Sequence, residues 1–241
     1  MFTIIFSTLY SIWAWIFIGS AFISHACIAS FLSLFSQDRE KTYYWTCIPS
    51  LKFGYNVSGV KIRVKGMENL PKQGPLVLVS NHQSHLDILT LLIASPLKLS
   101  FFAKEELLKI PFLGKAIREQ GHFWVNRENP RKALKQLNHV KQELIKGKAV
   151  LIFPSGTRCP EGEVGLFKRG AFQMALEANA PIIPVCISGS ANVLSKGSWR
   201  VKSGQVTVHF GTAQTHPVEE NIAKQAKILA KSYEEKIKAL F

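Results

Sequence analysis

The sequence predicts an α/β fold: a mixed, central sheet flanked by helices, preceded by an N-terminal hydrophobic helical membrane anchor. Three observations carry this. Residues 1–37 contain no Lys, Arg, Asp or Glu, so all 30 basic and 16 acidic side chains lie beyond them. From residue 56 onward, short runs of strand character alternate with longer runs that are apolar at helical spacing. Some of the short runs, such as Leu76-Val77-Leu78-Val79, are apolar at every position, the pattern of a strand buried on both faces.

The first 37 residues are apolar on every side, which argues against a soluble core helix. Their length exceeds the roughly 20 residues that cross a bilayer core. There is no basic leader, so they do not read as a signal peptide. A single helix would be about 55 Å long, too long for an upright span. Two arrangements fit: one tilted span, or two helices in a shallow hairpin broken at Gly19-Ser20. Trp13 and Trp15 suit a lipid–water boundary. Arg39, Lys41 and Lys52 follow the segment, and this bias places the rest of the chain on the cytoplasmic side of the cytoplasmic (inner) membrane.

Residues 38–55 read as a polar and aromatic connector, and residues 56–241 as the α/β domain. Within it, strands are expected at 57–65, 76–80, 97–103, 123–125, 149–153, 182–187 and 205–210. Helices are expected at 85–94, at 105–119 as one or two short pieces around Pro111, at 130–146, at 170–178 and at about 218–239. Ser84 is a natural N-cap for the first of these, and Pro130 suits the first turn of another. Strands interleaved with helices define the class.

The net charge of +14 narrows the partners. It suits an anionic membrane surface or an acidic substrate. Nucleic acid is not expected, because no nucleic-acid motif is visible and the chain begins in lipid. Cys27, Cys47, Cys159 and Cys186 have neither metal-ligand spacing nor a disulfide pattern and read as reduced thiols.

Two stretches carry chemistry. In Asn81-His82-Gln83-Ser84-His85-Leu86-Asp87, a histidine stands between a buried strand and a helix, five positions before an aspartate. An imidazole held by a carboxylate is suited to drawing a proton from an alcohol at neutral pH. If His82 Nδ1 bonds Asp87, its Nε2 is left free as base. Ser84-x-x-Asp87 is also a capping pattern, in which Asp87 serves only the helix start. On these residues alone both readings stand. His85 is a competing base placed in the helix's first turn.

In Phe153-Pro154-Ser155-Gly156-Thr157-Arg158, a buried strand runs into a glycine turn bearing an arginine, a setting suited to a phosphate. Lys168 and Arg169 follow nearby. Ser155 lacks the Gly-x-Ser-x-Gly context of a hydrolase nucleophile. A third stretch, Lys104 to Gly114 with Gly121 to Arg127, offers apolar residues for an acyl chain and Lys104 and Arg127 for an anionic headgroup. A fourth, Ile182 to Gly189, reads as a core strand without chemistry.

In this order the four stretches resemble the glycerolipid acyltransferase family, in particular its 1-acyl-sn-glycerol-3-phosphate (lysophosphatidate) acyltransferases. Asn81, His82, Ser84 and Asp87 meet the first motif of that family. Gly121, Phe123 and Arg127 meet the second, Phe153, Pro154, Gly156, Thr157 and Arg158 the third, and Pro184, Val185 and Gly189 the fourth. The resemblance covers roughly residues 50–215. It implies acyl transfer from an acyl carrier protein or coenzyme A thioester to the sn-2 hydroxyl of 1-acyl-glycerol-3-phosphate, giving phosphatidic acid, with no cofactor and no metal. His82 and Asp87 would be catalytic; Lys104, Arg127, Gly156, Thr157 and Arg158 would bind substrate. One position departs: Ser155 stands where the family has a glutamate associated with holding the acceptor. Acylation of, or acyl exchange with, a different lysophospholipid is therefore the alternative, and a non-enzymatic basic membrane-surface protein is a further one.

Overall fold

The computed structural model describes residues 2–110, 113–125 and 130–241. Seven strands form one sheet: β1 (Val60–Lys65), β2 (Leu76–Ser80), β3 (Leu99–Lys104), β4 (Phe123–Val125), β5 (Ala149–Ile152), β6 (Ile182–Ser188) and β7 (Gly204–Phe210). Their order is β1-β7-β6-β2-β5-β3-β4. All neighbouring pairs are parallel except β6 and β7, which run antiparallel. The sheet is therefore mixed, as expected. Strands β2 to β6 all end at one edge, where parallel α/β sheets hold their sites.

Both faces of the sheet are covered. Alternation along β2 sends Leu76 and Leu78 to one core and Val77 and Val79 to the other. All five β2 residues are buried. Each of the four apolar side chains among them contributes about 1.5–3 kcal/mol on burial. The first core lies under α2 (Arg39–Val57) and α3 (Leu86–Ala94), and the second under α5 (Pro130–Ile145), α6 (Gly170–Glu177) and α8 (Ile222–Lys238). The short α4 (Leu113–Glu119) and α7 (Ser190–Val193) are further helices.

One N-terminal expectation is corrected, and one of two open alternatives is decided. Residues 38–55, read as a connector, form most of α2, which Asp38 caps by accepting from Lys41 N at 2.9 Å. Tyr44, Ile48, Leu51 and Tyr55 recur at helical spacing and pack on the core. Pro49 inside the helix obscured that period. The hairpin broken at Gly19-Ser20 does not form: α1 (Phe2–Leu32) runs through both residues. A glycine costs about 1 kcal/mol in a helix interior, too little to end a helix held by its neighbours, and Ser20 Oγ returns to Phe17 O at 3.0 Å.

Ser7–Ala29 of α1 is long and apolar enough to cross a membrane. One face of α1 is nonetheless occupied by protein. Ser11, Ala14, Ala21, His25, Ala29 and Ser33 form a buried stripe of mostly small residues at helical spacing. They let α1 lie close along α2, where a Cβ on Gly54 would sit 3.8 Å from Ile18 Cα. Leu9, Ile16, Ile23 and Phe31 face outward, each more than half exposed.

A buried polar chain ties α1 to the turn between α4 and β4. His122 Nε2 donates to Gln120 Oε1 at 3.0 Å, and Gln120 Nε2 donates to His25 Nε2 at 3.1 Å. Burial, helped by the nearby Lys98 and Lys148 charges, lowers the His122 pKa to about 3. Its unfolded value is near 6.5, so the unfolded chain binds the extra proton first as pH falls. Its stability contribution is present above about pH 6.5 and is lost towards pH 3, by about 1.4 kcal/mol per pH unit. Thermal melts from pH 8 to pH 4 should therefore fall more steeply for the wild type than for His122→Phe. Equal slopes would count against a neutral buried imidazole.

Candidate active site

The strand β2 delivers Asn81 and His82 to the sheet edge. Asn81 is buried and bridges to β6: its Nδ2 donates to Ile187 O and its Oδ1 accepts from Ile187 N, both at 2.8 Å. The fourth stretch thus fixes the residue before the histidine. His82 Nδ1 lies 2.8 Å from Asp87 Oδ2. Asp87 is fully buried, whereas the His82 side chain is 15% exposed. A carboxylate only accepts, so Nδ1 carries the hydrogen and Nε2 presents its lone pair outward. Nε2 has no hydrogen-bond partner among the described residues.

Asp87 also does the capping work. Its Oδ2 accepts from Gln83 N at 2.7 Å and Ser84 N at 2.9 Å, while Ser84 Oγ accepts from Leu86 N at 3.2 Å. The two readings of the sequence are therefore one structure: the carboxylate that orders the turn into α3 also holds the imidazole. Turned with its amide nitrogen towards the acid, buried Gln83 donates to Glu161 Oε2 at 3.0 Å and accepts from Gly162 N at 3.1 Å. Glu161 Oε1 in turn accepts from Gly189 N at 2.7 Å.

The turn after β5 meets this loop directly. The Phe153 ring stacks on His82 at 4.2 Å between centroids, and Cys159 N donates to His82 O at 2.8 Å. Gly156 has φ +67°, a left-handed conformation that other residues adopt with strain. Desolvation lowers the His85 pKa, the Arg158 charge adds to this, and Asp87 opposes it. His85 itself is exposed and Asp87 does not hydrogen-bond to it, so it lacks the orientation given to His82.

The structure thus brings together His82, Asp87, Gly156, Thr157 and Arg158. Lys104 stands at the same edge, at the end of β3, three residues beyond Phe101, which pairs with Leu151. It is paired with Glu106 at 3.2 Å, and no contact joins it to His82 or Arg158 among the described residues. Arg127 lies outside the described residues. Ser155 is buried and donates to Thr157 O at 2.9 Å, so its hydroxyl is used within the turn.

Sequence reasoning missed Lys196, whose Nζ donates to Arg158 O at 3.0 Å and lies 3.4 Å from Thr157 Oγ1. It belongs to a loop far along the chain, with no spacing signal to link it. An apolar cavity of about 300 Å³ opens beside Phe153 and Gly156, between Phe102, Val125 and Leu137. Of the third stretch, expected to line such a groove, Val125 does so, whereas none of the described apolar residues Leu107, Leu108, Ile110 and Leu113 lines this one; Pro111 and Phe112 lie outside the described residues.

A histidine base held by a buried carboxylate, next to an arginine-bearing anion turn, is equipment for activating a hydroxyl on a phosphorylated substrate. Residues 61–188 match the family model described as Acyltransferase, and the chain belongs to that acyltransferase family. It is 35% identical over 174 residues to the chloroplast 1-acyl-sn-glycerol-3-phosphate acyltransferase of Arabidopsis thaliana, covering 70% of this chain and 47% of the relative. The enzyme of that name from Pseudomonas aeruginosa is 36% identical over 159 residues, 65% of this chain and 60% of the relative. The human alpha form is 36% identical over 151 residues, 62% of this chain and 53% of the relative. The chain thus spans about half to three fifths of the length of these curated relatives. The crystal structure of the 1-acyl-sn-glycerophosphate (LPA) acyltransferase PlsC from Thermotoga maritima superposes with a TM-score of 0.80 at 27% identity, covering 98% of each chain.

Proposed function

We propose that the protein transfers a fatty acyl group from an acyl thioester to the sn-2 hydroxyl of 1-acyl-glycerol-3-phosphate, giving phosphatidic acid for phospholipid synthesis. The observation that carries this is the His82–Asp87 pair, with Nε2 unpartnered, locked onto the Gly156–Arg158 turn. The names of the relatives support the choice of substrate. The acceptor phosphate sits over the Gly156-Thr157-Arg158 turn, with Lys104 and Arg127 as further cations. Its hydroxyl gives a proton to His82 Nε2 as its oxygen bonds to the thioester carbonyl. Asp87 stabilises the imidazolium. The carbon–sulfur bond then breaks and His82 returns the proton to the departing thiolate. The carrier is acyl carrier protein or coenzyme A, both acidic, as the +14 balance favours.

The membrane supplies the acceptor. The N-terminal half of α1 abuts the loop before β7, with Ser11 Oγ 3.3 Å from Val201 O and Trp15 Nε1 2.7 Å from Trp199 O. The apolar helix therefore lies beside the edge that bears His82, on the cytoplasmic face of the membrane in this reading.

The test is product identification by mass spectrometry, using several lysolipids and both thioester carriers. Phosphatidate from lysophosphatidate is the expected product; acylation only of other lysolipids would replace this reading. That second reading has one observation behind it, the Ser155 hydroxyl tied to Thr157 O in place of a carboxylate. Arg158→Ala should raise the acceptor KM roughly 10–100-fold with a smaller change in kcat, since charge-assisted hydrogen bonds contribute about 1.5–3 kcal/mol. An unchanged KM would remove Arg158 from the phosphate site.

A further inference from the structure

Two loops at the catalytic edge hold large apolar side chains out in solvent. In the first, Val164 and Phe167 are buried, yet Leu166 between them is 84% exposed, more than any other large apolar side chain described. This loop is not loose. Lys168 N donates to Pro154 O at 3.1 Å, and Phe167 N donates to Glu234 Oε1. A Cβ on Gly165 would lie 3.2 Å from Ser155 Cβ, so Leu166 stands next to the Ser155–Arg158 turn.

In the second loop, Trp199 is 49% exposed, and its carbonyl accepts from Trp15 of α1. That bond ties the loop to α1, whose Leu9, Ile12 and Ile16 are exposed. Exposed cations flank both residues along the chain: Lys168 and Arg169 follow Leu166, and Lys196, Arg200 and Lys202 bracket Trp199. Residues 194–203 contain no acid, and residues 155–169 contain only Glu161 and Glu163. Glu161 is turned inward onto Gly189 N. A single exposed leucine is ordinary. A pinned leucine and a tryptophan, each flanked by exposed cations and the second tied to an apolar helix, match the chemistry of an anionic bilayer surface.

We propose that Leu166 and Trp199 form a second membrane contact, inserting into an anionic leaflet while the flanking cations meet its headgroups, so that the mouth of the site and not α1 alone rests on the bilayer. This builds on the membrane-surface reading above. It also gives the lysophospholipid a route to Arg158 that never leaves the interface.

The test uses the full chain and vesicles of phosphatidylcholine containing phosphatidylglycerol, with bromine on the acyl chains. Leu166→Trp should show extra fluorescence quenching by bromolipid over the wild type, larger when phosphatidylglycerol is present. Leu166→Glu should lose roughly tenfold of its turnover on lysophosphatidate held in such vesicles. It should keep wild-type turnover on a short-chain acceptor dissolved as monomer. No extra quenching, or equal losses on both acceptors, would overturn the contact. The quenching measurement involves no turnover, so an absence of acyl transfer in the wild type would refute the function proposed above without deciding this point.

Discussion

Replacing His82 by alanine is expected to lower acyl transfer by roughly 10²–10⁴-fold, the range that general-base help supplies. The fold should survive. The imidazole gives one hydrogen bond to Asp87 and one stacking contact to Phe153. Asp87 Oδ2 would still accept from Gln83 N and Ser84 N, so the loss of stability should stay near 0.5–1.5 kcal/mol. Residual turnover would come from positioning alone, because the substrates are still held in reach. Turnover and a thermal melt on the same purified sample decide the matter. A melt that collapses with the rate would make His82 a structural residue, and near-normal turnover would end its role as base.

Asp87 separates by the kind of substitution. Asp87→Asn keeps an oxygen where Oδ2 accepts its three bonds and removes the charge. It should cost roughly 10²–10⁴-fold in rate and little in melting temperature. Asp87→Ala leaves the buried Gln83 and Ser84 amides without their acceptor, at about 1–3 kcal/mol for each unsatisfied group. It should lose rate and stability together. The contrast follows from one oxygen serving both the α3 turn and the imidazole. If Asp87→Asn turns over normally, the carboxylate is a helix cap and nothing more.

Much of this was legible from local pattern. Continuous apolar runs marked β2, β5 and β6 because strands covered on both faces leave no polar positions. His82 and Asp87 were found by a spacing that a short loop and one helical turn close in space. What failed was less local. α2 was hidden by Pro49 and by tyrosines that bury their rings while satisfying their hydroxyls: Tyr44 Oη gives to Leu97 O at 3.1 Å and receives from Leu99 N at 3.0 Å. β7 was expected as a strand, but its antiparallel pairing with β6 depends on a return path that no periodicity encodes. Lys196 meets Thr157 only because α7 and its following loop fold back over the edge. The capping and catalytic readings of Asp87 looked like alternatives in one dimension, and three donors converging on a single oxygen made them compatible.

The claim at the centre is that His82 acts on the acceptor hydroxyl and that the acyl group passes in one step. Rapid-quench measurement of thiol release, with and without lysophosphatidate and with intact-protein mass recorded alongside, tests it most directly. The account predicts that thiol appears only when acceptor is present, at the same rate as phosphatidate, with the protein mass unchanged. A stoichiometric burst of thiol without acceptor, accompanied by an acylated protein, would contradict it.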